Sequence, residues 1–134
     1  MNGLWYGPDG RAIAAQDAER LLSDWPGRVI AEDVIPAGPL VVLVVTSFTV
    51  IAAAQRPPGH QEARFQDPRL LQEQPPILWE TMVTVEHSGA LIGRYRSRGE
   101  AETGHAQIVA HVYRLLETMH PGQALAALQQ ARMW

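Results

Sequence analysis

The chain has 134 residues, 46% of them apolar, a net charge of −3 and no cysteine. That length and apolar share suit one domain around one core, held without disulfides or a structural metal. The lack of cysteine excludes thiolate nucleophiles, disulfide chemistry and cysteine-held zinc, and the acidic balance argues against a long nucleic acid as partner.

In chain order, "LWYGPDGRAI" sets Pro8-Asp9-Gly10 between two short apolar stretches and predicts a small hairpin, because proline fixes φ and glycine accepts positive φ. "AQDAERLLSDW" then places Ala14, Ala18, Leu21, Leu22 and Trp25 at helical spacing, with Pro26-Gly27 as the stop. "RVIAEDVI" reads as a strand ending at Pro36, and "PAGP" turns the chain into the long apolar run Leu40 to Ala54. Because Val41 to Val50 is apolar on both faces, it predicts a central strand covered on each side. Residues 56–76 are polar, carry five prolines and exceed an ordinary connection, so a long functional loop is expected there. "ILWETMVTVE" and "LIGRYRS" flank "HSGA" and predict a hairpin centred on Ser88-Gly89. From Arg98 to Glu117 the pattern is helical, with Ala101, His105, Ile108, Val109, Val112, Tyr113 and Leu116 on one stripe. "HPG" breaks it, and "QALAALQQARMW" gives a last short helix. The expected fold is α+β, a mostly antiparallel sheet of four to five strands with helices packed on it, in a single domain over residues 1–134.

"MNGLWYGPDG" lacks a basic stretch followed by an apolar one, so no signal peptide is expected. The run from Leu40 to Ala54 falls short of the ~20 residues that cross a bilayer, so no membrane partner is expected. All 11 basic residues are arginine and Asn2 is the only asparagine. This avoidance of A-rich codons points to a high-GC genome, that of a bacterium or its phage, and to the cytoplasm of the bacterial host cell.

No complete catalytic or metal signature occurs, and no cofactor is expected. His105 and His111 lie six apart and do not share a helix face as zinc-binding pairs do, and the phosphate-loop, dinucleotide and nucleophile-elbow motifs are missing. Ser97 and Glu100 form a capping box ahead of the long helix. Gly104 inside that helix costs about 1 kcal/mol relative to alanine, which predicts the close approach of another backbone. The ordinary reading of His105 is a buried histidine hydrogen-bonded to one partner; it is weighed against a general base or ligand-binding imidazole, and the ordinary reading leads. With Ser88-Gly89 at the turn, Glu80 lies diagonal to Ser97 and Tyr95, while Arg94 and Arg96 share the other face with Trp79, Thr81 and Val83. The ordinary readings, which lead, are a structural ion pair or cap-region acceptor for Glu80 and a solvated face for Arg94, Arg96 and Arg98; weighed against them, the expected ligand site is Trp79, Glu80, Arg94, Tyr95, Arg96 and His105. Guanidinium forks would grip a small anionic, phosphate-bearing ligand, the indole would stack on it, and the proline-rich loop would cover it.

Taken together, "PPILWETMV" and "RYRSRGEAETGH" resemble a family of small uncharacterised proteins of tailed bacteriophages and prophages. The likeness includes Tyr6 to Gly10, the central strand before a proline-rich loop, the Glu-Thr-Met strand from Leu78 to Met82, and Arg94 to His105 at a helix start. Two segments depart from it: "VIAAA" replaces a Gly-Leu-Asp-His strand end, and "VTVEH" replaces Phe-Gly-Gly after Glu-Thr-Met. The resemblance implies an origin and carries no activity. The expected function is a phage- or prophage-encoded accessory protein, without catalysis, that binds a small nucleotide-like ligand or a host defence protein. The alternatives are a small hydrolase or transferase using His105 and Glu80, and a virion or assembly component. A homo-oligomer is expected because the Ala/Leu stripe of the last helix is too short to be stable uncovered.

Overall fold

A computed structural model describes residues 5–51 and 76–132; the proline-rich stretch 56–75 and the C-terminal Met133-Trp134 lie outside the described residues. Strand β1 (Trp5–Tyr6) pairs antiparallel with β2 (Ala12–Ile13), and Gly10 between them takes φ 83°, as the Pro-Asp-Gly signal requires. Helix α1 (Ala15–Ser23) follows. It stops before the expected Pro26-Gly27: residues Trp25–Arg28 form a separate short helix, α2, capped by Asp24 Oδ1 accepting the Gly27 N–H at 3.0 Å. Proline belongs in such a first turn, because its missing N–H would have no helical acceptor anyway. Trp25 consequently leaves the α1 stripe and is exposed, with the Arg28 guanidinium 5.1 Å from its ring centre.

Strands β3 (Val29–Ala37), β4 (Leu40–Phe48), β5 (Trp79–Val85) and β6 (Ser88–Tyr95) form an antiparallel meander in that spatial order. Pro36 is tolerated inside β3 because β3 is an edge strand. Helices α3 (Arg98–Leu116) and α4 (Pro121–Ala131) pack on one face of the sheet. The fold is α+β, as the element order implies. Strict alternation along the strands assigns Ile35, Val42, Val44, Phe48, Trp79, Val83 and Val85 to the helix-covered face, where all are buried. Among the described residues the other face of β4 is covered in part: Val45 is buried there, whereas Val41 is 47% exposed, beside Val34 of β3 at 61%. An antiparallel sheet can leave one face to solvent, which a parallel sheet cannot.

Helix α4 buries Ala124, Leu125 and Leu128 in its own chain's core, so its stripe needs no second subunit to cover it. Tyr113 falls outside the buried stripe of α3, at 54% exposure. Ser97 Oγ accepts the Glu100 N–H at 3.1 Å, as the capping signature predicts, but the Glu100 carboxylate reaches back to the Arg96 N–H instead of that of Ser97. At the far end of β4, Val50 takes φ 69° although it is β-branched and fully buried. The Ile51 N–H closes a three-residue turn onto the Thr49 carbonyl at 2.7 Å, and the Thr49 hydroxyl donates to the Leu78 carbonyl. Such a turn is strained, and here its surroundings hold it: the Val50 carbonyl accepts the Tyr6 N–H, tying the N-terminal hairpin to the sheet.

The β5–β6 hairpin differs from expectation in two ways. Its turn is Glu86-His87, two residues earlier than Ser88-Gly89, and Glu86 takes φ 56°. The register then shifts between Met82↔Leu91 and Thr81↔Gly93, leaving Ile92 as a β-bulge. The extra residue inverts the alternation beyond it. Arg94 therefore pairs across from Glu80, and Tyr95 across from Trp79, the reverse of the expected faces. Tyr95 turns under α3, where a side chain at either Gly93 or Gly104 would collide with its ring. Gly104 thus admits an aromatic ring and not a second backbone.

Alanine in place of a helical glycine ordinarily stabilises by about 1 kcal/mol. Gly104→Ala should instead destabilise this protein by about 1–3 kcal/mol in urea unfolding, because the added Cβ would collide with the Tyr95 ring and force it out of its place. In a Tyr95→Leu background the same change should recover its usual favourable sign. A stabilised single variant would refute the packing described.

Candidate functional site

Three polar side chains interrupt the apolar alternation of the covered sheet face. Asp33 sits between Ala31 and Ile35 of β3, Thr46 between Val44 and Phe48 of β4, and Thr81 between Trp79 and Val83 of β5. Thr46 and Thr81 are direct cross-strand partners, both wholly buried, with hydroxyl oxygens 2.5 Å apart. His105 descends on them from α3. Its Nδ1 lies 2.7 Å from Thr46 Oγ1, and its Nε2 lies 2.7 Å from Asp33 Oδ2. Thr81 continues the chain to the Tyr95 hydroxyl at 3.1 Å. An unbroken line of hydrogen bonds, Asp33–His105–Thr46–Thr81–Tyr95, therefore crosses all four strands.

Donor counting fixes its direction. A carboxylate only accepts, so His105 Nε2 carries the hydrogen toward Asp33, and in the neutral ring Nδ1 must accept. Thr46 then donates to His105, Thr81 to Thr46 and Tyr95 to Thr81. Burial pushes the Tyr95 phenol above its ordinary titration range, against the opposing pull of the Thr81 hydrogen bond, which keeps it a hydroxyl. The two ends of the line differ from its middle: the Asp33 side chain is half exposed, whereas that of His105 is 6% exposed.

At the Tyr95 end the line opens on a cleft between β6 and α3. Two adjoining hollows of about 720 Å³ and 330 Å³ share Arg94, Tyr95, Gly104 and Gln107 in their walls. The larger takes in Arg96 and Thr103; the smaller takes in His111 and Arg132. Arg132, which closes α4, spans back to β6 by donating to the Leu91 carbonyl at 2.7 Å. Arg96, just after β6, and Arg132, at the end of α4, thus line adjoining hollows of one cleft, while Arg94 borders both from a strand position whose side chain alternates toward Glu80 on the opposite sheet face.

Of the six residues singled out in the sequence, the structure brings Arg94, Tyr95 and Arg96 together in this cleft. His105 connects to it only through the two threonines. Trp79 does not reach it: the indole is 4% exposed and packs on Phe48 at 5.4 Å between ring centres. Glu80 lies on the opposite sheet face, across from Ser47 and Arg94, so it and His105 cannot serve one reaction centre. Asp33, Thr46 and Thr81 escaped the sequence reading. The available signal was a polar residue at an apolar phase of the period-2 pattern in each of three strands. Asp33, His105 and Thr46 have the acid–imidazole–hydroxyl order of a nucleophilic triad, but a hydroxyl with no exposure cannot meet a substrate. Compared with known proteins, the chain matches no family model, no curated protein and no solved structure.

His105→Ala removes two hydrogen bonds and leaves a cavity under α3, so it should destabilise the protein by about 2–4 kcal/mol. Thr46→Val, which keeps the shape and strands Nδ1, should cost about 1–3 kcal/mol. Urea unfolding measures both; a neutral His105→Ala would contradict a structural share for this line.

Proposed function

We propose that this protein is a non-enzymatic binding protein for a small anionic, phosphate-bearing ligand, held in the cleft between β6 and α3. The observation that carries the reading is that Arg96 and Arg132 line adjoining hollows of one cleft, beside the single carboxylate Glu100, in a chain of net charge −3. A guanidinium meets a phosphate with two parallel donors, and neighbouring forks at fixed spacing select a compact oxyanion over a long polyanion. The buried position of Trp79 removes the indole as a stacking surface, so recognition rests on the anionic group and not on a base. An origin in a phage or prophage genome, supported by the resemblance of "PPILWETMV" and "RYRSRGEAETGH", places such a protein among accessory functions, where sequestering a small phosphorylated compound needs no catalysis.

Isothermal titration with phosphate, linear nucleotides and cyclic nucleotides tests this. The expected result is saturable binding that weakens at least about tenfold in an Arg96→Ala, Arg132→Ala double variant, the loss of roughly 1.4 kcal/mol or more. Trp79→Phe should leave the affinity unchanged. Failure of every anion to bind would remove the reading and leave the host-protein partner.

A further inference from the structure

The hydrogen-bonded line has two self-consistent polarities, and only one of them presents a donor to the cleft. With a neutral His105 ring, every hydroxyl points inward toward Nδ1 and the Tyr95 hydrogen is spent on Thr81. With both ring nitrogens protonated, Nδ1–H donates to Thr46, Thr46 donates to Thr81, and Thr81 donates to Tyr95. The Tyr95 O–H is then released to the cleft. The two glycines that cage the ring, Gly93 and Gly104, both line the smaller hollow, so the hydroxyl sits at its wall.

We propose that an oxyanion bound in the cleft takes its hydrogen bond from Tyr95, and that His105 gains a proton as that bond forms. The inference rests on the cleft being an anion site. The proton bookkeeping closes without any other reactant. A proton from water or from an acidic ligand oxygen passes to Tyr95 Oη as the Tyr95 hydrogen moves to Thr81. The Thr81 hydrogen moves to Thr46, and the Thr46 hydrogen moves to Nδ1. Four O–H bonds break; three new O–H bonds and one N–H bond form; the donor oxygen keeps the electron pair of the first bond broken. The end state is the reversed line, with an imidazolium held between Thr46 and Asp33 and a Tyr95 hydrogen aimed at the anion.

The groups facing His105 suit that end state. From β3 it meets Asp33, which as an anion stabilises the imidazolium; from β4 it meets Thr46, backed by Thr81 of β5, and neither hydroxyl titrates near neutrality. From β6, Tyr95 stays a hydroxyl because burial raises its titration range. Glu32 and Glu80 project from the opposite sheet face, and α4 carries no titratable residue between Pro121 and Ala131. The cleft itself is lined by Glu100 and His111 beside Arg94, Arg96 and Arg132.

The probe is sulfate, which does not titrate near neutrality and so cannot supply or take the proton itself. Calorimetry of sulfate binding to the 134-residue chain, repeated in buffers of different ionisation enthalpy, reads the protons taken up. Above the histidine range, uptake should approach about one proton per bound ion, and affinity should fall by up to about tenfold per pH unit. Tyr95→Phe and Thr46→Val, each breaking the line at one point, should abolish the uptake. His111→Gln should leave the uptake per bound ion unchanged, whatever it does to affinity. The His105 ring nitrogen shifts, followed by NMR in the wild-type protein, should turn to the imidazolium pattern on sulfate addition, a readout that no variant's folding can obscure. Sulfate binding without proton uptake, or uptake lost in His111→Gln, overturns the relay while leaving the anion site standing. No binding of sulfate or phosphate at all overturns the anion site, and the relay with it.

Discussion

Two threonine hydroxyls buried in the middle of an apolar sheet face constrain much of this structure. A hydroxyl left unpaired there costs about 1–3 kcal/mol, and pairing Thr46 with Thr81 alone leaves one donor without an acceptor. His105 Nδ1 supplies that acceptor. The ring can reach it only if α3 crosses the sheet at one height, with position 105 above the β4–β5 pair. Asp33 then fixes the tautomer from the far side, as a carboxylate does for a histidine that must present one particular nitrogen. The position of α3 is set by hydrogen-bond accounting as much as by packing.

The polar row also divides the core. On one side lie Val44, Val83, Ile35, Val112 and the α4 residues Leu125 and Leu128; on the other lie Phe48, Trp79, Leu78, Ala18 and Ala101. Each strand of the four-stranded meander and α3 contributes to both clusters and crosses the row once. Apolar contacts fix an alignment less sharply, because volume-conserving exchanges among aliphatic side chains usually cost less than about 1.5 kcal/mol. A line of directional bonds does not, so the row selects one alignment of helix on sheet from the several that the two apolar clusters would accept.

The element order was legible because each element carries its own local signal: Pro-Asp-Gly in the first hairpin, period-2 apolar runs in β3 to β6, 3.6-residue periodicity and a serine cap in α3. The candidate site was half legible. Arg94, Tyr95 and Arg96 were identifiable as neighbours, but the face each occupies depends on Ile92 being a bulge. Moving the turn from Ser88-Gly89 to Glu86-His87 shifts every partner by an even number of residues and leaves the faces as they were. The single inserted residue inverts them. A bulge is a property of two strands together, and the only trace in one of them is Gly93, a glycine inside a strand. The turn was misplaced for a different reason: Ser-Gly is the stronger local signal, yet the two turn residues are Glu86 and His87, with Glu86 at a positive φ.

A row built only to align a helix would not need both of its ends where they are. Replacing a buried polar cluster by well-packed apolar residues is often neutral or stabilising, so the row has a standing cost relative to a Val-Val-Leu core. Specificity of alignment could be had from Thr46, Thr81 and His105 alone, with the distal imidazole nitrogen open to water. Here the line runs on in both directions until it meets solvent: at Asp33, half exposed on the edge strand β3, and at Tyr95, in the wall of the arginine-lined cleft on the opposite edge. The bulge that turns Tyr95 inward and the two glycines that make room for it extend the line by one hydroxyl, at the expense of strand regularity and of helix propensity. That extension adds little to the alignment of α3. What it does is join a buried imidazole to the wall of the cleft lined by Arg96 and Arg132, and this connection is the feature that a purely structural account leaves without a cause.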